Sequence, residues 1–379
     1  TPAAQTPAAQ TPAAQTPAAQ TPAAQTPAGR KAAQPAASPL RPGTGLYPRA
    51  IRLHNGVIAA SVVTFDGNNG QGAIYQSHDD GSTFAQVGTV ADPAAAQGKG
   101  LCCATLYELP HRVGALPAGT LLWAASIGQD TPDRRMRIRV WSSPDQGRNW
   151  SFLATIATAD STLGLWEPEF TVAANGQLVV FFSDETDQPA HSQKLVEATS
   201  ADGVHWTSRR DVVALADPAA RPGMPVVRQL HPGDYLMSYE ICGSTYGCAA
   251  YQRRSADGAH WGDPAAAGTA IVATDGTHFA HAPNITVGWH GEIILVGQVL
   301  QNADGSVAAG NGATIMLRSP GGRWTTQPAP VSVPDARDNY CPNYSSALLP
   351  TLSGLLEIAT DYNADGVCQA NYASINRTK

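Results

Sequence analysis

The sequence predicts an all-β, six-bladed β-propeller preceded by a disordered Pro/Ala-rich tail, and three observations carry the prediction. Six stretches each read as a strand, a tight turn and a second strand: AIRLHNGVIAASVVTF, TLYELPHRVGALPAGTLLWAAS, EFTVAANGQLVVFFSD, PVVRQLHPGDYLMSYE, NITVGWHGEIILVGQV and SSALLPTLSGLLEIATD. A turn signature, Ser-x-Asp-x-Gly-x-x-aromatic, recurs between them at regular intervals. No stretch carries the period of a long helix, so repeated four-stranded sheets are the economical reading.

The tail comes first in the chain. TPAAQ repeats five times from Thr1 to Gln25, followed by TPAGR and an Ala/Pro/Gln stretch to about Ser38. Proline at this density breaks helix and sheet, and Ala, Thr and Gln bring too little apolar surface to pack. Residues 1–38 are therefore expected to be an extended, partly polyproline-II tether and residues 39–379 the propeller domain. A net charge of −6 with 14% charged residues argues against nucleic acid or anionic membrane as partner. No apolar run reaches the length of a membrane span. The chain shows no signal peptide but does not begin with Met, so a processed, secreted monomer is the expectation.

Six cysteines fit an oxidising compartment. Cys242 and Cys248 could close the loop around GSTYG, and Cys341 and Cys368 flank a predicted hairpin. Cys102 and Cys103 are adjacent, which leaves a vicinal bridge, other partners or free thiols open. No Cys or His cluster has zinc spacing, and no metal or cofactor is expected.

The turn signature begins at Ser77 and Ser143, recurs shortened by one residue at Ser200 and Ser255, and RSPGGRW retains a worn copy at Ser319 without its Asp. The Asp accepts backbone N–H bonds, Gly supplies a positive φ, and the aromatic ring packs back beneath. These turns resemble the Asp boxes of sialidase-like β-propellers over nearly all of residues 45–379. Asp79, Asp145, Asp202 and Asp257 are accordingly read as structural.

Blades run outward from the axis, so the starts of first strands and the ends of second strands meet on one face of the disc. Starts carry Tyr47, Pro48 and Arg49; Cys102 and Cys103; Trp166 and Glu167; Arg221 and Met224; His281 and Asn284; Asn343 and Tyr344. Second strands end with Asp66, Ser126, Asp184 and Glu185, Glu240, Gln298, and Asp361 with Tyr362. The opposite face reads HNG, PAG, ANG, HPG, HG and SG, which is turn chemistry alone. Glu167 and Glu240, on neighbouring blades, become a carboxylate pair suited to glycosidic cleavage. Trp166 beside Glu167 is a stacking surface for a sugar ring. Glu169, two residues on and so on the same side of a regular strand, is the runner-up. The structural alternatives are that Glu167 pairs with Arg49 or Arg221, that amides of the CGSTYG loop hold Glu240, and that Trp166 and Tyr344 merely pack.

YPRAIRL followed by NG, WEP opening one blade, RPGM opening the next, and a Glu ending the strand after it resemble glycoside hydrolase family 93. That resemblance implies a six-bladed exo-arabinanase that releases arabinobiose from linear α-1,5-L-arabinan with retention, using two glutamates. It places those glutamates on Glu167 and Glu240, and makes Arg49 and Arg221 substrate contacts. Asn284 and Tyr344 are added from their position on the face rather than from a motif. LCCATLYELP, the second acid of WEPEF and the CGSTYGC loop depart from the pattern and bear on substrate identity. The alternatives are a sialidase, which needs three arginines where two open blades here, and a non-catalytic glycan-binding propeller. Asn149, Asn284, Asn343 and Asn376 begin Asn-x-Ser/Thr triplets, and a glycan at Asn284 or Asn343 would obstruct the expected mouth.

Overall fold

A computed structural model describes residues 36–243 and 245–376. Six sheets succeed one another along the chain, as the six repeats require. The first blade pairs Leu46–Arg52, Ile58–Asp66, Asn69–Ser77 and Ala85–Ala91 in order, all antiparallel. The second uses Leu101–Glu108, Leu121–Ile127, Arg137–Ser143 and Ser151–Thr158, and the third Leu165–Val172, Leu178–Asp184, Lys194–Ser200 and Arg210–Val213. The fourth begins with Arg221–His231, Asp234–Cys242 and Ala249–Ser255 and extends through His278–Ala280 to Val299–Gln301. The fifth holds Asn284–Val287, Ile293–Val296, Thr314–Arg318 and Trp324–Pro328. Its second strand is shorter than the repeat suggests. Gly297 packs so closely on Phe279 that a Cβ there would clash, and the chain leaves for the fourth blade's sheet.

The sixth blade closes the ring. Its strands Ala347–Pro350, Gly354–Tyr362 and Cys368–Asn376 accept Ser38–Pro39 as the outer fourth, with Ser38 opposite Tyr372 and Pro39 opposite Asn371. Most of the expected tether lies outside the described residues, but the propeller begins at Ser38, one residue inside the boundary drawn for it. A two-residue strand on an outer edge tolerates proline because the missing N–H would face away from the ladder.

The core lies between blades, since each sheet buries both faces against its neighbours. Trp123, Phe181, Phe182 and Phe170 are fully buried in these layers, each contributing roughly 1.5–3 kcal/mol of burial. The repeated turns behave as their chemistry dictates. Asp79, Asp145, Asp202 and Asp257 accept backbone N–H bonds from Thr83, Asn149, His205 and His260, while Ser77, Ser143, Ser200 and Ser255 accept from the turn glycines. Their aromatic residues, Phe84, Trp150, Trp206 and Trp261, pack against the blade cores. Three disulfides form: Cys102–Cys103, Cys242–Cys248 and Cys341–Cys368. Among the described residues the one helix is the short turn Pro93–Ala95, and no helix is long and apolar enough to cross a membrane.

Candidate active site

Each innermost strand enters the ring through the same irregularity. Tyr47, Cys103, Glu167, Met224, Ala282 and Ser345 all have left-handed backbone, with φ of 51°, 60°, 58°, 57°, 48° and 55°. Each stands two residues before the regular ladder resumes, and the register jumps at Leu46/Arg49, Cys102/Thr105, Trp166/Glu169 and Gly223/Val226. A bulge of this kind re-aims one side chain and concentrates local twist. Non-glycine residues in this region cost roughly 1–3 kcal/mol each and persist only where the surroundings enforce them. Six of them circle the axis at the same level. Tyr47, Cys103, Met224 and Ala282 pack into an apolar floor joined by Cys102, Trp166 and Tyr344. Among the six, Glu167 alone carries a carboxylate.

The bulge separates the two acids of WEPEF, which a regular strand would have placed on one side. Glu169 rejoins the ladder and is buried between blades, where it accepts from Thr105 Oγ1 at 2.8 Å and from Arg228 Nη1 at 2.6 Å. Glu167 is turned into an open pocket of about 200 Å³ lined by Trp166, Glu185, Gln193, Arg221, Glu240, Cys242 and Tyr344. Its Oε2 accepts from Ser183 Oγ at 2.6 Å and from the Met224 amide at 3.2 Å. Burial pushes the Glu167 carboxyl above the usual range despite these two donors.

Glu240 arrives on the end of the fourth blade's second strand. Its Oε2 accepts from the Ala282 amide at 2.6 Å, so the bulge of the fifth blade holds it, and among the described residues no amide of the CGSTYG loop does. Cys242 Sγ lies 3.5 Å from Oε1, a contact only, because the sulfur is in a disulfide and carries no proton. Burial, with the Glu167 charge adding to it and the Ala282 amide opposing, raises the Glu240 pKa to about 8.

The remaining wall is held by a second acid and a base. Arg221 donates to Glu185 Oε1 at 2.6 Å, to Gln193 Oε1 at 2.7 Å and to Ser192 Oγ at 2.9 Å. Burial pushes the Glu185 carboxyl up, but Arg221, the Trp166 indole and the Gly164 amide outweigh it and hold the group below its usual range. The Arg134 guanidinium lies 5.1 Å from the centre of the Trp166 ring, on which it stacks. Tyr344 reaches over the floor, its hydroxyl 3.6 Å from Met224 Sδ, and burial raises its pKa well above the ordinary value.

Of the residues expected at the site, Glu167, Glu240, Trp166, Arg221 and Tyr344 line one pocket. Arg49 does not. It is buried, lies 4.1 Å from the centre of the Tyr47 ring, and donates to Pro48 O and to Ser345 O and Oγ. It is a strut between the first and sixth blades that holds Tyr47 in place. Asn284 is also buried and outside the lining, paired opposite Val296 in the fifth blade. The pairing of Glu167 with Arg49 or Arg221 is replaced by Glu185 taking Arg221. Glu185, Gln193 and Cys242 were missed as site residues. Glu185 and Cys242 carried a signal, since both stand at the functional-face ends of second strands; Gln193 sits in a loop without a motif.

The solved structures that match this chain over most of both lengths include two at about a quarter identity. The α-L-arabinofuranosidase of Fusarium graminearum, solved with an iminosugar inhibitor, is 26% identical with a TM-score of 0.71, over 89% of this chain and 94% of that one. The α-L-arabinanase of Penicillium chrysogenum, solved with arabinobiose, is 26% identical with a TM-score of 0.73, over 87% and 93%. A Trypanosoma rangeli sialidase shares the fold alone, at 12% identity, a TM-score of 0.53 and coverage of 87% and 55%. No protein-family model matches the chain, and no curated protein sequence matches it.

Proposed function

We infer, from the close structural homology of this chain to the arabinanase and arabinofuranosidase propellers of glycoside hydrolase family 93, that it is a secreted, exo-acting glycoside hydrolase. Its substrate is α-1,5-L-arabinan or a related arabinofuranoside, cleaved with retention. The observation that carries the reading is the pair Glu167 and Glu240 in one pocket, with environments that divide their tasks.

Burial raises both carboxyls, but Glu167 holds two hydrogen-bond donors on one oxygen against the Ala282 amide on Glu240. Of the pair Glu167 is therefore the more readily ionised and takes the part of nucleophile. Glu240, pushed up to about 8, keeps a proton at neutral pH as an acid must. In the first step Glu167 attacks the anomeric carbon while Glu240 gives its proton to the departing glycosidic oxygen. In the second, Glu240 takes a proton from water, whose oxygen attacks that carbon and releases Glu167. Two inversions leave the configuration retained. Arg221, locked by Glu185 and Gln193, and Trp166 orient the sugar ring. The sialidase reading is weaker, because one arginine lines the pocket and it is committed to Glu185.

The test is turnover of linear arabinan, an aryl α-L-arabinofuranoside and an aryl sialoside by purified protein. The first-formed anomer is followed by NMR. Short arabinose products with retained α configuration are expected. Binding of arabinan without hydrolysis would replace the enzyme by a glycan-binding propeller, and sialoside turnover would replace the substrate.

A further inference from the structure

Beside the pocket, the connection from the fifth to the sixth blade forms a ledge that the reaction above does not use. Tyr340 is 62% exposed, and its ring meets Tyr362 edge-on at a centroid distance of 6.2 Å. Tyr362 donates from its hydroxyl to Asn339 Oδ1 at 2.9 Å, and the Arg337 guanidinium lies 5.9 Å from the Tyr362 ring centre.

The ledge is anchored rather than loose. Cys341, next to Tyr340, is bonded to Cys368, and its carbonyl accepts from Thr360 Oγ1 at the end of the sixth blade's second strand. The Gln298 side-chain amide donates to Asn339 O and Pro342 O from the fifth blade. The Asn343 amide donates to Gly297 O at 3.0 Å and Gln298 O at 3.1 Å.

It also adjoins Glu240. Asp338 lies 3.7 Å from His281 Nε2, one residue before the Ala282 amide that holds Glu240. The Asp338 charge is felt at both Glu240 and Tyr344. Trp166, Glu185, Gln193 and Arg221 come from the third and fourth blades and the loops between them, so they wall the pocket on a different side.

We propose that the Tyr340–Tyr362 ledge is the subsite for the departing part of the substrate, seating a sugar ring of the arabinan chain against Tyr340 on the Glu240 side of the pocket. This rests on the glycosidase reading above. A proton donor must face the leaving oxygen, so the residues next to Glu240 meet the sugar that departs. A rigid, exposed aromatic ring bordered by Asp338, Asn339 and Arg337 offers an apolar face with polar groups at its edge. A sugar ring presents the same division between its C–H face and its hydroxyl rim.

The experiment compares wild type, Tyr340→Ala and Tyr340→Trp on linear arabinan and on α-L-arabinofuranosyl fluoride, whose leaving group fills no sugar subsite. For Tyr340→Ala, kcat/KM on arabinan is expected to fall roughly 5- to 30-fold, mostly through KM, from loss of one aromatic contact. Tyr340→Trp restores it, and fluoride turnover is unchanged in both variants. If Tyr340→Ala does not fold, Tyr340→Gln carries the same expectation, with fluoride turnover as the control for folding. Equal losses on arabinan and fluoride, or no loss on arabinan, would overturn the proposal. Wild-type protein inert on arabinan would overturn the glycosidase reading and this inference with it.

Discussion

Ser183→Ala isolates the electrostatics of Glu167. Ser183 is fully buried opposite Trp166 in the third blade, and its hydroxyl donates to Glu167 Oε2 at 2.6 Å. A hydrogen bond to a charged group contributes roughly 1.5–3 kcal/mol. At about 1.4 kcal/mol per pKa unit, its loss raises the Glu167 pKa by roughly 1–2 units. The donor favours the carboxylate form, so removing it favours the acid form and the pKa moves up. A nucleophile must be ionised, and the acid limb of kcat/KM should therefore move to higher pH by the same amount. The assay is a pH profile on 2,4-dinitrophenyl α-L-arabinofuranoside, whose leaving group needs no protonation, so the alkaline limb does not intrude. Below the shifted limb, kcat/KM should be roughly 10- to 100-fold under wild type, and on the plateau the two enzymes should converge. An unmoved acid limb in a variant with wild-type melting temperature would refute Glu167 as the ionised nucleophile.

Glu240→Gln should abolish the alkaline limb near pH 8 and depress kcat most on substrates with poor leaving groups, and azide should partly rescue Glu240→Ala on a substrate with an activated leaving group; a limb that persists would assign it to another group. Glu169→Gln removes the buried charge opposite the partly exposed Arg228 and weakens a charge-assisted hydrogen bond, so it should destabilise the fold by roughly 1.5–3 kcal/mol in denaturant titrations. Its pH–rate profile should keep its shape, whereas Glu167→Gln should lose activity with an intact fold. Glu357 is buried, accepts from the Val331 amide at 2.9 Å, and is raised by burial to about 8. The stability it contributes is complete below its unfolded pKa of about 4.5 and is lost as pH rises towards 8, at a slope approaching ~1.4 kcal/mol per pH unit. Glu357→Gln should flatten that decline, and parallel wild-type and variant stability curves between these pH values would count against the assignment. Asn284 and Asn343 are both buried, the latter with its amide fully engaged, so peptide mapping of glycosylated material should find neither modified.

Much of this molecule is legible from its residues because the relevant forces are local. Alternating apolar residues, two-residue turns and the Ser-x-Asp-x-Gly signature act within a few positions, and six repetitions lead to a ring of six sheets. Strand direction then sorts every residue to one face or the other. That is why the order of residues along the strands already assigns Glu167, Glu240, Trp166, Arg221 and Tyr344 to one mouth. The decision between Glu167 and Glu169 was of another kind. It depends on a bulge at the third blade's entrance, where Pro168 cannot donate to the ladder and Glu167 takes left-handed backbone; the proline marks a break in the strand, but not which of the two acids the break turns into the pocket. Partner choice among charges was equally out of reach. Arg221 takes Glu185, 36 positions away, and Arg228 takes Glu169, 59 away. Arg49 turns from the pocket to a carbonyl 296 positions on. Such pairings are settled by which blades become neighbours and how deeply each side chain is buried when the ring closes, and no local pattern carries either quantity.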